Sequence, residues 1–340
     1  MLRVAVIGYG YWGPNLVRNF LASGRFQVIA IAERRPEMRV DIARRYPGTL
    51  ALEDAAQAIA CPDVDAVAIA TPVATHFQLA RDALSCGKHV LVEKPLCTTS
   101  AEGRELVELA SKVRRVLMVD HTFLFTGAVQ TITKLVRAGD LGKICYFDAM
   151  RVNLGLFQPD VNCLWDLAPH DLSIIDHLLD DEIAGIQISG YCHLNQHVPD
   201  MAYLTIHYAS NVVAHLNMSW MSPVKVRRFA IGGKQKMLIW DDLDLEQKIR
   251  IYNSGIEYHT QDERALIIPD YRIGDIYSPR VPRHEALDRV VEHFADVIEE
   301  KERSVMDGKR GLRIVSILEE AQQLLDRNLR EVEARRKVLT

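Results

Sequence analysis

The feature of this sequence that most constrains its fold is a glycine-rich turn near the amino terminus. Residues 8–13 read GYGYWG, a G-x-G-x-x-G pattern, between an apolar run and a segment with helical periodicity. Between a strand and a helix, the first glycine permits a tight turn, the second lets backbone approach a diphosphate, and the third allows close helix–strand packing. The pattern predicts a dinucleotide site, with a glycine turn that binds nothing as the alternative. The candidate cofactor residues in this turn are Gly8, Gly10, Tyr11, Trp12 and Gly13.

Strand–helix alternation continues through the first third of the chain. Continuous apolar runs such as Val67–Ala70 are typical of strands buried on both faces, and short connections between strand and helix indicate a parallel sheet. We therefore expect residues 1–120 to form a doubly wound α/β domain of the Rossmann type. The predicted strands are Arg3–Ile7, Gln27–Ala32, Ala66–Ala70, His89–Val92 and Arg115–Val119, and the predicted helices are Trp12–Ser23, Arg35–Tyr46, His76–Ser85 and Ala101–Lys112.

After about residue 120 the pattern changes to longer segments in which polar and apolar residues alternate. Ser210 and Asn211 lie between two of these segments and predict a hairpin turn. We expect residues 121–340 to form an α+β domain with a large open, mostly antiparallel sheet. The predicted strands begin near Ile144 and include Ile186–Cys192, Ala202–Tyr208, Val212–Trp220, Phe229–Ile231 and Lys236–Trp240; Asn153–Cys163 is predicted as a loop, and helices are predicted at Ala128–Ala138, Glu285–Glu300 and Leu312–Leu329.

Composition argues against several classes of protein. A net charge of −4 without a stripe of Lys and Arg argues against a nucleic-acid partner. No apolar run approaches the length of a membrane span, and no signal-peptide pattern is visible. The six cysteines stand far apart, which is typical of free thiols in a reducing compartment, so we expect a cytoplasmic protein. His193 and His197 have no evident third ligand, and we expect no metal site.

An acidic residue ends the second predicted strand. Glu33 can accept hydrogen bonds from the adenosine ribose hydroxyls and would repel a 2′-phosphate, which favours NAD over NADP. Arg34 and Arg35 follow it; their guanidinium groups could instead hold a phosphate, stack on adenine or face solvent. We expect NAD as the cofactor, with NADP as the less favoured alternative, and we add Glu33 and Arg34 to the candidate cofactor residues.

The tripeptide Glu93-Lys94-Pro95 follows another predicted strand. Lys94 therefore lies at the carboxyl edge of a parallel sheet, where doubly wound folds bind their ligands. A lysine at a strand end can also be a simple surface cation. The adjoining proline fixes the turn, and this favours a functional Lys94.

A second polar motif, Asp166-x-x-x-His170, lies in the predicted second domain. Pro169 suits the first turn of a helix, so the sequence predicts a helix that starts there, with His170 in its first turn and Asp166 just upstream. At that position the helix dipole would disfavour an imidazolium, leaving a neutral imidazole suited to accept a proton. The alternative is that Asp166 caps the helix and His170 is a packed residue.

Together these motifs resemble the Gfo/Idh/MocA family, named for glucose–fructose oxidoreductase and inositol dehydrogenase. The resemblance covers nearly the whole chain and rests on four segments in order: the glycine turn, Thr71–His76, Glu93–Pro95 and Asp166-x-x-x-His170. It implies hydride transfer between a sugar carbinol carbon and a nicotinamide. It also implies that the sheet of the C-terminal domain forms homodimer or homotetramer contacts.

The resemblance also implies roles for individual residues. Lys94, Asp166 and His170 would form the catalytic set, in which His170 takes the hydroxyl proton, Lys94 stabilises the reacting oxygen and Asp166 orients the pair. The lysine transfers the proton in some members, so the division between Lys94 and His170 stays open. The further residues expected around the cofactor are Thr71, Pro72, His76, Glu93 and Lys94 itself. Val73 and Ala168 depart from the asparagine and the glycine usual at these positions.

Within the family, two segments resemble the branch that acts on nucleotide-activated amino sugars. These are His121–Phe125 and the run from Arg151 to Asp166. That branch includes enzymes that oxidise the 3-hydroxyl of UDP-N-acetylglucosamine or of its uronic acid. The candidate substrate residues are His121, Arg151, Asn153 and Asn162, and for the last three a structural role in a loop is an equal alternative.

Three functions remain open from the sequence. The first is a dehydrogenase of an activated sugar, and the second is a free-polyol or inositol dehydrogenase or a ketosugar reductase. The third is a non-catalytic NAD-sensing regulatory protein, which the same fold can host. Retention of Lys94, Asp166 and His170 argues against the sensor, because a sensor has no need of a catalytic set.

Overall fold

A computed structural model describes residues 1–155, 161–195, 198–257 and 270–339 of the chain. Contacts divide it into two compact units. The first unit is Met1–Phe125 with His284–Glu319, and the second is Thr126–Arg283 with Glu320–Thr340. The expected boundary at residue 120 lies close to the first of these divisions.

The segment His284–Glu319 differs from the expected division, which assigned all of residues 121–340 to one domain. Its helix Ala286–Ile298 packs against the first unit through an apolar face, where Phe294 stacks on Phe26 with ring centroids 6.0 Å apart. On the same helix, Asp296 accepts a hydrogen bond from Arg25 at 2.6 Å. Burial of aromatic surface explains why the segment belongs to the first unit.

The first unit contains a six-stranded sheet in which every pairing is parallel. The strand order is β3-β2-β1-β4-β5-β6, the order of a dinucleotide-binding doubly wound sheet, and this confirms the predicted Rossmann fold. The strands are β1 (Leu2–Ile7), β2 (Phe26–Ala32), β3 (Leu50–Leu52), β4 (Ala66–Ile69), β5 (His89–Glu93) and β6 (Leu117–Asp120). Sequence reasoning missed β3, because three residues are too few to show a period.

Helices connect these strands, and their ends follow local sequence signals. Pro36 begins one helix at the position that proline favours, and Thr99 with Glu102 forms a capping box at the start of another. The helices of the first unit are Gly13–Ala22, Pro36–Arg45, Ala55–Ala60, His76–Ser85, Ser100–Val113 and Ala286–Ile298, and the helix Gly308–Leu339 begins in this unit.

The second unit contains an eight-stranded sheet, mostly antiparallel as expected. Its order is β16-β13-β12-β11-β7-β10-β9-β8, and β7 with β10 is the parallel pair. The predicted hairpin at Ser210 and Asn211 is confirmed, with Asn211 at a φ of 66° between paired strands. The strands are β7 (Ile144–Leu154), β8 (Ile183–Tyr191), β9 (Met201–Tyr208), β10 (Val213–Ser219), β11 (Met221–Gly233), β12 (Met237–Asp241), β13 (Ile249–Tyr252), β14 (Gly255–Glu257), β15 (Asp270–Arg272) and β16 (Ile276–Tyr277), of which β14 and β15 form a separate pair.

Two further helices of the second unit are Gly127–Arg137 and Cys163–Leu178. The second, here called the motif helix, carries Asp166 and His170. The prediction that it starts at Pro169 is wrong: it begins at Cys163, because Asn162 caps it by accepting hydrogen bonds from the amides of Leu164 and Trp165 at 3.1 and 3.2 Å. Across the described parts of the chain, no helix combines the length and the apolar character needed to cross a membrane.

Candidate active site

The first unit gathers most of the candidate cofactor residues at one edge of its sheet. The strand registers pair Ile7 with Ile69, and Glu93 with Asp120. Because the strands are parallel, the residues after their last positions all lie at the carboxyl edge. The candidates placed there are Gly8, Gly10, Gly13, Glu33, Thr71, Pro72, Lys94 and His121.

Glycine occupies the three positions of the turn for different physical reasons. A Cβ on Gly8 would lie 2.5 Å from the carbonyl oxygen of Ala70, and a Cβ on Gly13 would lie 2.2 Å from that of Gly8. Both contacts are too close for any side chain, so packing alone requires these two glycines. A Cβ on Gly10 would meet nothing within 4 Å. The fold therefore does not explain Gly10, whereas a diphosphate that approaches the backbone does.

The start of the helix Gly13–Ala22 also suits an anion. Its N-cap residue Trp12 makes no capping hydrogen bond through its side chain, and no acidic residue lies in the first turn. The first amides of a helix, together with its dipole, attract a phosphate when they are left in this state. Tyr11 and Trp12 are exposed beside it, with their rings in an edge-to-face contact at 5.7 Å. These residues fit a bound dinucleotide.

Glu33 is held in place by four hydrogen-bond donors, one of which is the Nη2 of Arg35 at 3.1 Å. Its carboxylate accepts hydrogen bonds from the amide of Tyr9 at 2.9 Å, and from the amide and the side-chain Nε of Arg35 at 3.0 and 2.9 Å. The hydrogen bond from Arg35 lowers the pKa of Glu33 to about 2, so Glu33 is ionised at any working pH. The same guanidinium donates to the carbonyl oxygen of Tyr9 at 3.1 Å. Glu33 and Arg35 thus clamp the glycine turn between them.

His76 supports the two loops that carry Thr71 and Lys94. The side chain is buried, and its Nδ1 and Nε2 lie 2.8 Å from the carbonyl oxygens of Pro95 and Thr71 respectively. Thr71 is further fixed by a hydrogen bond between its hydroxyl and that of Thr75 at 2.7 Å. The imidazole ties the loop after β4 to the loop after β5. A direct contact between His76 and the cofactor stays a prediction.

Three buried titratable groups, Glu93, Asp120 and His121, lie where strands β5 and β6 end. Burial raises the pKa of Asp120 to about 6, and burial together with the charge of Asp120 raises the pKa of Glu93 well above its ordinary range. A side-chain hydrogen bond between these two carboxyl groups contributes to both shifts: it raises the pKa of Glu93 and lowers that of Asp120. Burial, and then the charge of Lys94, lowers the pKa of His121 to about 3. His121 is therefore a neutral imidazole, and in the described part of the chain neither of its nitrogens has a hydrogen-bond partner.

The second unit places Asp166 and His170 four residues apart on the motif helix, and so on one face of it. Because the helix starts at Cys163, Asp166 lies in the first turn and His170 lies beyond it. The argument that the dipole keeps His170 neutral does not apply, and the dipole acts on Asp166 instead. The carboxylate of Asp166 accepts a hydrogen bond from the indole of Trp220 at 3.2 Å.

Two of the candidate substrate residues have partners inside the second unit. Arg151 is 4% exposed and donates two hydrogen bonds to the carboxylate of Asp171, at 2.9 and 2.7 Å. Asn162 caps the motif helix and donates to Gln322 at 2.7 Å. Asn153 belongs to β7 rather than to the predicted loop and donates to the carbonyl oxygen of Leu154 at 3.0 Å. Residues 156–160 of that predicted loop lie outside the described residues.

The imidazole of His193 contacts a buried carboxylate of the same unit. Its Nδ1 lies 2.8 Å from the buried carboxylate of Asp200, which also accepts from the amides of His193 and Leu194. His197 lies outside the described residues. Among the described residues, no group of three or more His, Cys, Asp or Glu could hold a metal ion.

Sequence reasoning missed Asp120, Asp171 and Trp220 as members of this arrangement. Asp120 could have been found, because it ends the strand beside β5 and parallel strands end at the same edge. Asp171 follows His170 directly, but its partner Arg151 is distant in sequence. Trp220 is 54 positions from Asp166, and no local pattern joins them.

Comparisons with known proteins agree with this fold. Residues 2–121 match the family model described as "Oxidoreductase family, NAD-binding Rossmann fold", and residues 129–239 match the GFO/IDH/MocA C-terminal domain. A UDP-N-acetylglucosamine 3-dehydrogenase of Acidithiobacillus ferrooxidans is 26% identical over 321 residues, which cover 93% of this chain and 94% of that protein. An inositol 2-dehydrogenase of Rhodococcus erythropolis is 26% identical over 263 residues, covering 75% of this chain and 76% of that protein.

The solved structure of the Acidithiobacillus ferrooxidans dehydrogenase has the same fold. It superposes with a TM-score of 0.81 at 23% identity and covers 96% of this chain and 99% of that chain. The Rossmann sheet with this glycine turn, together with the family model matched over residues 2–121, identifies an NAD-binding oxidoreductase. The two family models, matched in order along the sequence, make the assignment specific: the chain belongs to the Gfo/Idh/MocA family.

Replacing glycines of the turn separates cofactor binding from folding. We expect Gly10→Ala to leave the free energy of unfolding nearly unchanged and to weaken NAD binding by at least about tenfold, because the added methyl lies where the diphosphate approaches. Gly13→Ala is the matched control and should lower the unfolding temperature without cofactor. Calorimetric titration and thermal unfolding measure the two effects. Unchanged NAD affinity in Gly10→Ala would show that the turn binds no diphosphate.

Glu33→Gln tests the basis of cofactor choice. Glutamine keeps an acceptor for the amide of Tyr9 but removes the charge that repels a 2′-phosphate and restrains Arg35. We expect the ratio of kcat/KM with NAD to that with NADP to fall by at least about tenfold. The control is Glu53→Gln, which changes an exposed carboxylate after β3. An unchanged ratio would mean that Arg34, Arg35 or the adjoining loop sets the preference.

Asp120→Asn should change how stability depends on pH. The pKa of Asp120 is raised in the folded protein, so its contribution to stability is full at low pH and is lost as pH rises through about 6. Asparagine carries no such charge, and its oxygen can still accept the hydrogen bond from Thr122. Urea unfolding at pH 5 and pH 8 measures the free energy of unfolding of both proteins. The free energy of unfolding of the variant, relative to that of the parent, should be larger at pH 8 than at pH 5. The control is Asp54→Asn, which changes an exposed helix N-cap. Its free energy of unfolding should differ from that of the parent by the same amount at both pH values.

Proposed function

We propose that this protein is a sugar dehydrogenase that oxidises a hydroxyl carbon of its substrate, specifically C3 of a nucleotide-activated amino sugar or of its uronic acid. The observation that carries the proposal is similarity to a UDP-N-acetylglucosamine 3-dehydrogenase along 93% of this chain. Retention of Lys94, Asp166 and His170 supports an enzyme rather than a sensor. The bound NAD would supply the hydride acceptor.

The proposed roles follow the chemistry of the side chains. His170 accepts the proton of the substrate hydroxyl as its carbon gives up hydride, and Lys94 donates a hydrogen bond to the oxygen on which negative charge develops. Asp166 orients this pair. Transfer of the proton by Lys94 is the alternative division of labour. On the cofactor side, the amides after Gly10 and the carboxylate of Glu33 would hold the diphosphate and the adenosine ribose.

We propose substrate contacts for fewer residues than the four candidates that the sequence predicted. Asn153 and His121 remain candidates for contacts with sugar hydroxyls or a carboxylate. Arg151 and Asn162 are engaged with Asp171 and Gln322, and these contacts favour the structural alternative for both. The charge of Arg151 is already matched by a buried carboxylate, so it has little attraction left for an anionic substrate.

A free-polyol or inositol dehydrogenase is the second candidate function. The similarity to an inositol 2-dehydrogenase along 75% of this chain favours it. The same residues would serve a ketosugar reductase, because a catalyst accelerates a reaction and its reverse alike.

We also propose that the protein forms a homodimer or homotetramer through the large sheet. One face of this sheet leaves Tyr146, Met150 and Tyr203 between 38 and 40% exposed on strands β7 and β9. Exposed aromatic and methionine side chains on one face are typical of protein contacts. All six cysteines are free thiols, which supports a cytoplasmic location.

A substrate panel tests the proposed function. The panel contains UDP- and dTDP-sugars, their uronic acids, free hexoses and inositols, each with NAD and NADP, and absorbance of the reduced nicotinamide is followed in both directions. We expect turnover of one nucleotide-activated amino sugar. Turnover of inositol alone would favour the second function. NAD binding without turnover of any compound would contradict the nucleotide-sugar proposal and favour a sensor.

Variants of the proposed catalytic residues complete this test. Lys94→Ala and His170→Ala should lower kcat by at least about a hundredfold while NAD affinity changes little, because general acid–base catalysis contributes on this scale. Lys234→Ala, at an exposed position, is the control. Near-parental turnover by either variant would overturn the roles assigned above.

A further inference from the structure

Two buried side chains, Arg151 on β7 and Trp220 between β10 and β11, contact the motif helix on either side of His170. The indole Nε1 of Trp220 donates to the Oδ2 of Asp166 at 3.2 Å. The Nε and Nη2 of Arg151 donate to the Oδ2 and Oδ1 of Asp171 at 2.9 and 2.7 Å. Asp166 precedes His170 by four residues and Asp171 follows it directly, so the two contacts bracket the histidine.

The contact between Arg151 and Asp171 has a defined geometry. Both side chains are 5% exposed, and two parallel N–H···O bonds join the planar guanidinium to the planar carboxylate. A paired arrangement of this kind allows little rotation. Because Asp171 adjoins His170 in the sequence, the pair restrains the motif helix at the position next to His170.

The side chain of Trp220 is held in a fixed position by close packing and by backbone hydrogen bonds. It is 1% exposed, and a Cβ on Gly155 would lie 2.4 Å from its Cδ1, so the indole lies flush against that glycine. Its backbone amide donates to the carbonyl oxygen of Asp200 at 2.9 Å, and its carbonyl accepts from the amide of Gly155 at 3.1 Å. An indole has one polar hydrogen, and here it is directed at Asp166.

Folding stability alone does not require the ion pair between Arg151 and Asp171 or the N–H group of Trp220. A buried ion pair can often be replaced by apolar residues of similar volume without loss of stability. Phenylalanine would likewise fill most of the space of an indole. What the polar atoms add is direction, since each bond fixes a carboxylate on the helix that carries the proposed catalytic pair.

We propose that Trp220 and Arg151 are positioning residues of the reaction, acting through Asp166 and Asp171 to orient the Asp166 carboxylate and the His170 imidazole. This inference rests on the proposed function of Asp166 and His170. Neither positioning residue needs to contact substrate or cofactor, so each contributes to kcat rather than to substrate affinity. Small displacements of a catalytic group can cost on the order of a hundredfold in rate.

The test of Trp220 is a double-mutant cycle. Trp220→Phe removes the N–H and retains an aromatic ring; we expect kcat to fall at least about tenfold with KM and NAD affinity within about twofold of the parent. In an Asp166→Asn background the same change should have little further effect, because Trp220 acts through that carboxylate. Trp240→Phe, the same change at another buried tryptophan of this sheet, should leave kcat unaltered.

Arg151 is tested so that folding and positioning are separated. Arg151→Lys keeps the charge but loses the two-pronged contact, and should lower kcat more than it changes KM. Arg151→Met combined with Asp171→Leu removes both charges together, which should preserve folding, as judged by thermal unfolding, and still lower kcat at least about tenfold.

The outcomes distinguish this proposal from the proposed function. The measurements use whichever substrate the parent turns over, with Asp166→Asn and His170→Ala alongside. If these two variants keep parental turnover, the proposed roles fail and the positioning proposal fails with them. If they lose turnover while Trp220→Phe and the Arg151 and Asp171 double variant keep parental kcat, the positioning proposal alone is overturned. Additive losses in the Asp166→Asn background would also overturn it.

Discussion

Parallel pairing in the first sheet is the constraint on which the candidate site depends. Because every strand of that sheet runs the same way, the loops after β1, β2, β4, β5 and β6 all lie at one edge. Polar groups that are buried there must satisfy each other, and they do so across loops. Glu33 binds the amide of Tyr9, and His76 joins the carbonyl oxygens of Thr71 and Pro95. Hydrogen bonds between loops thus convert a shared edge into a defined surface for a dinucleotide.

The second unit positions its candidate site residues in a different way. Its chemistry lies on one helix, and strand pairing does not orient a helix about its axis. Side chains do: Asn162 fixes its start, while Trp220 and Arg151 contact it on both sides of His170. The first unit therefore positions its groups mainly through parallel strand ends and hydrogen bonds between loops, and the second mainly through side chains that contact one helix. Substitutions that preserve the fold should for this reason disturb the second set of groups more readily.

The difference also explains how much the sequence could predict. The Rossmann fold and the placement of the glycine turn, Glu33 and Lys94 at one edge of its sheet were predictable, because each depends on a strand end and on topology. The start of the motif helix was not, because Pro169 is a local signal and the cap at Asn162 outweighs it. Arg151 and Asn162 were candidates for substrate binding because the run from Arg151 to Asp166 resembles the branch that acts on nucleotide-activated amino sugars. Their partners, Asp171 and Gln322, lie 20 and 160 positions away, and no local pattern reports such contacts.

A residue whose identity the fold already explains is weak evidence for function, and a residue that the fold leaves unexplained is stronger evidence. Packing requires Gly8 and Gly13 but not Gly10, so Gly10 is the member of the turn that indicates a ligand. The same reasoning lowers the weight of Arg151 as a substrate ligand once Asp171 is seen beside it. It raises the weight of His121, a buried imidazole whose nitrogens have no hydrogen-bond partner among the described residues. Burying such a ring costs free energy that nothing in its described surroundings offsets, and a ligand that bonds to it would remove that cost.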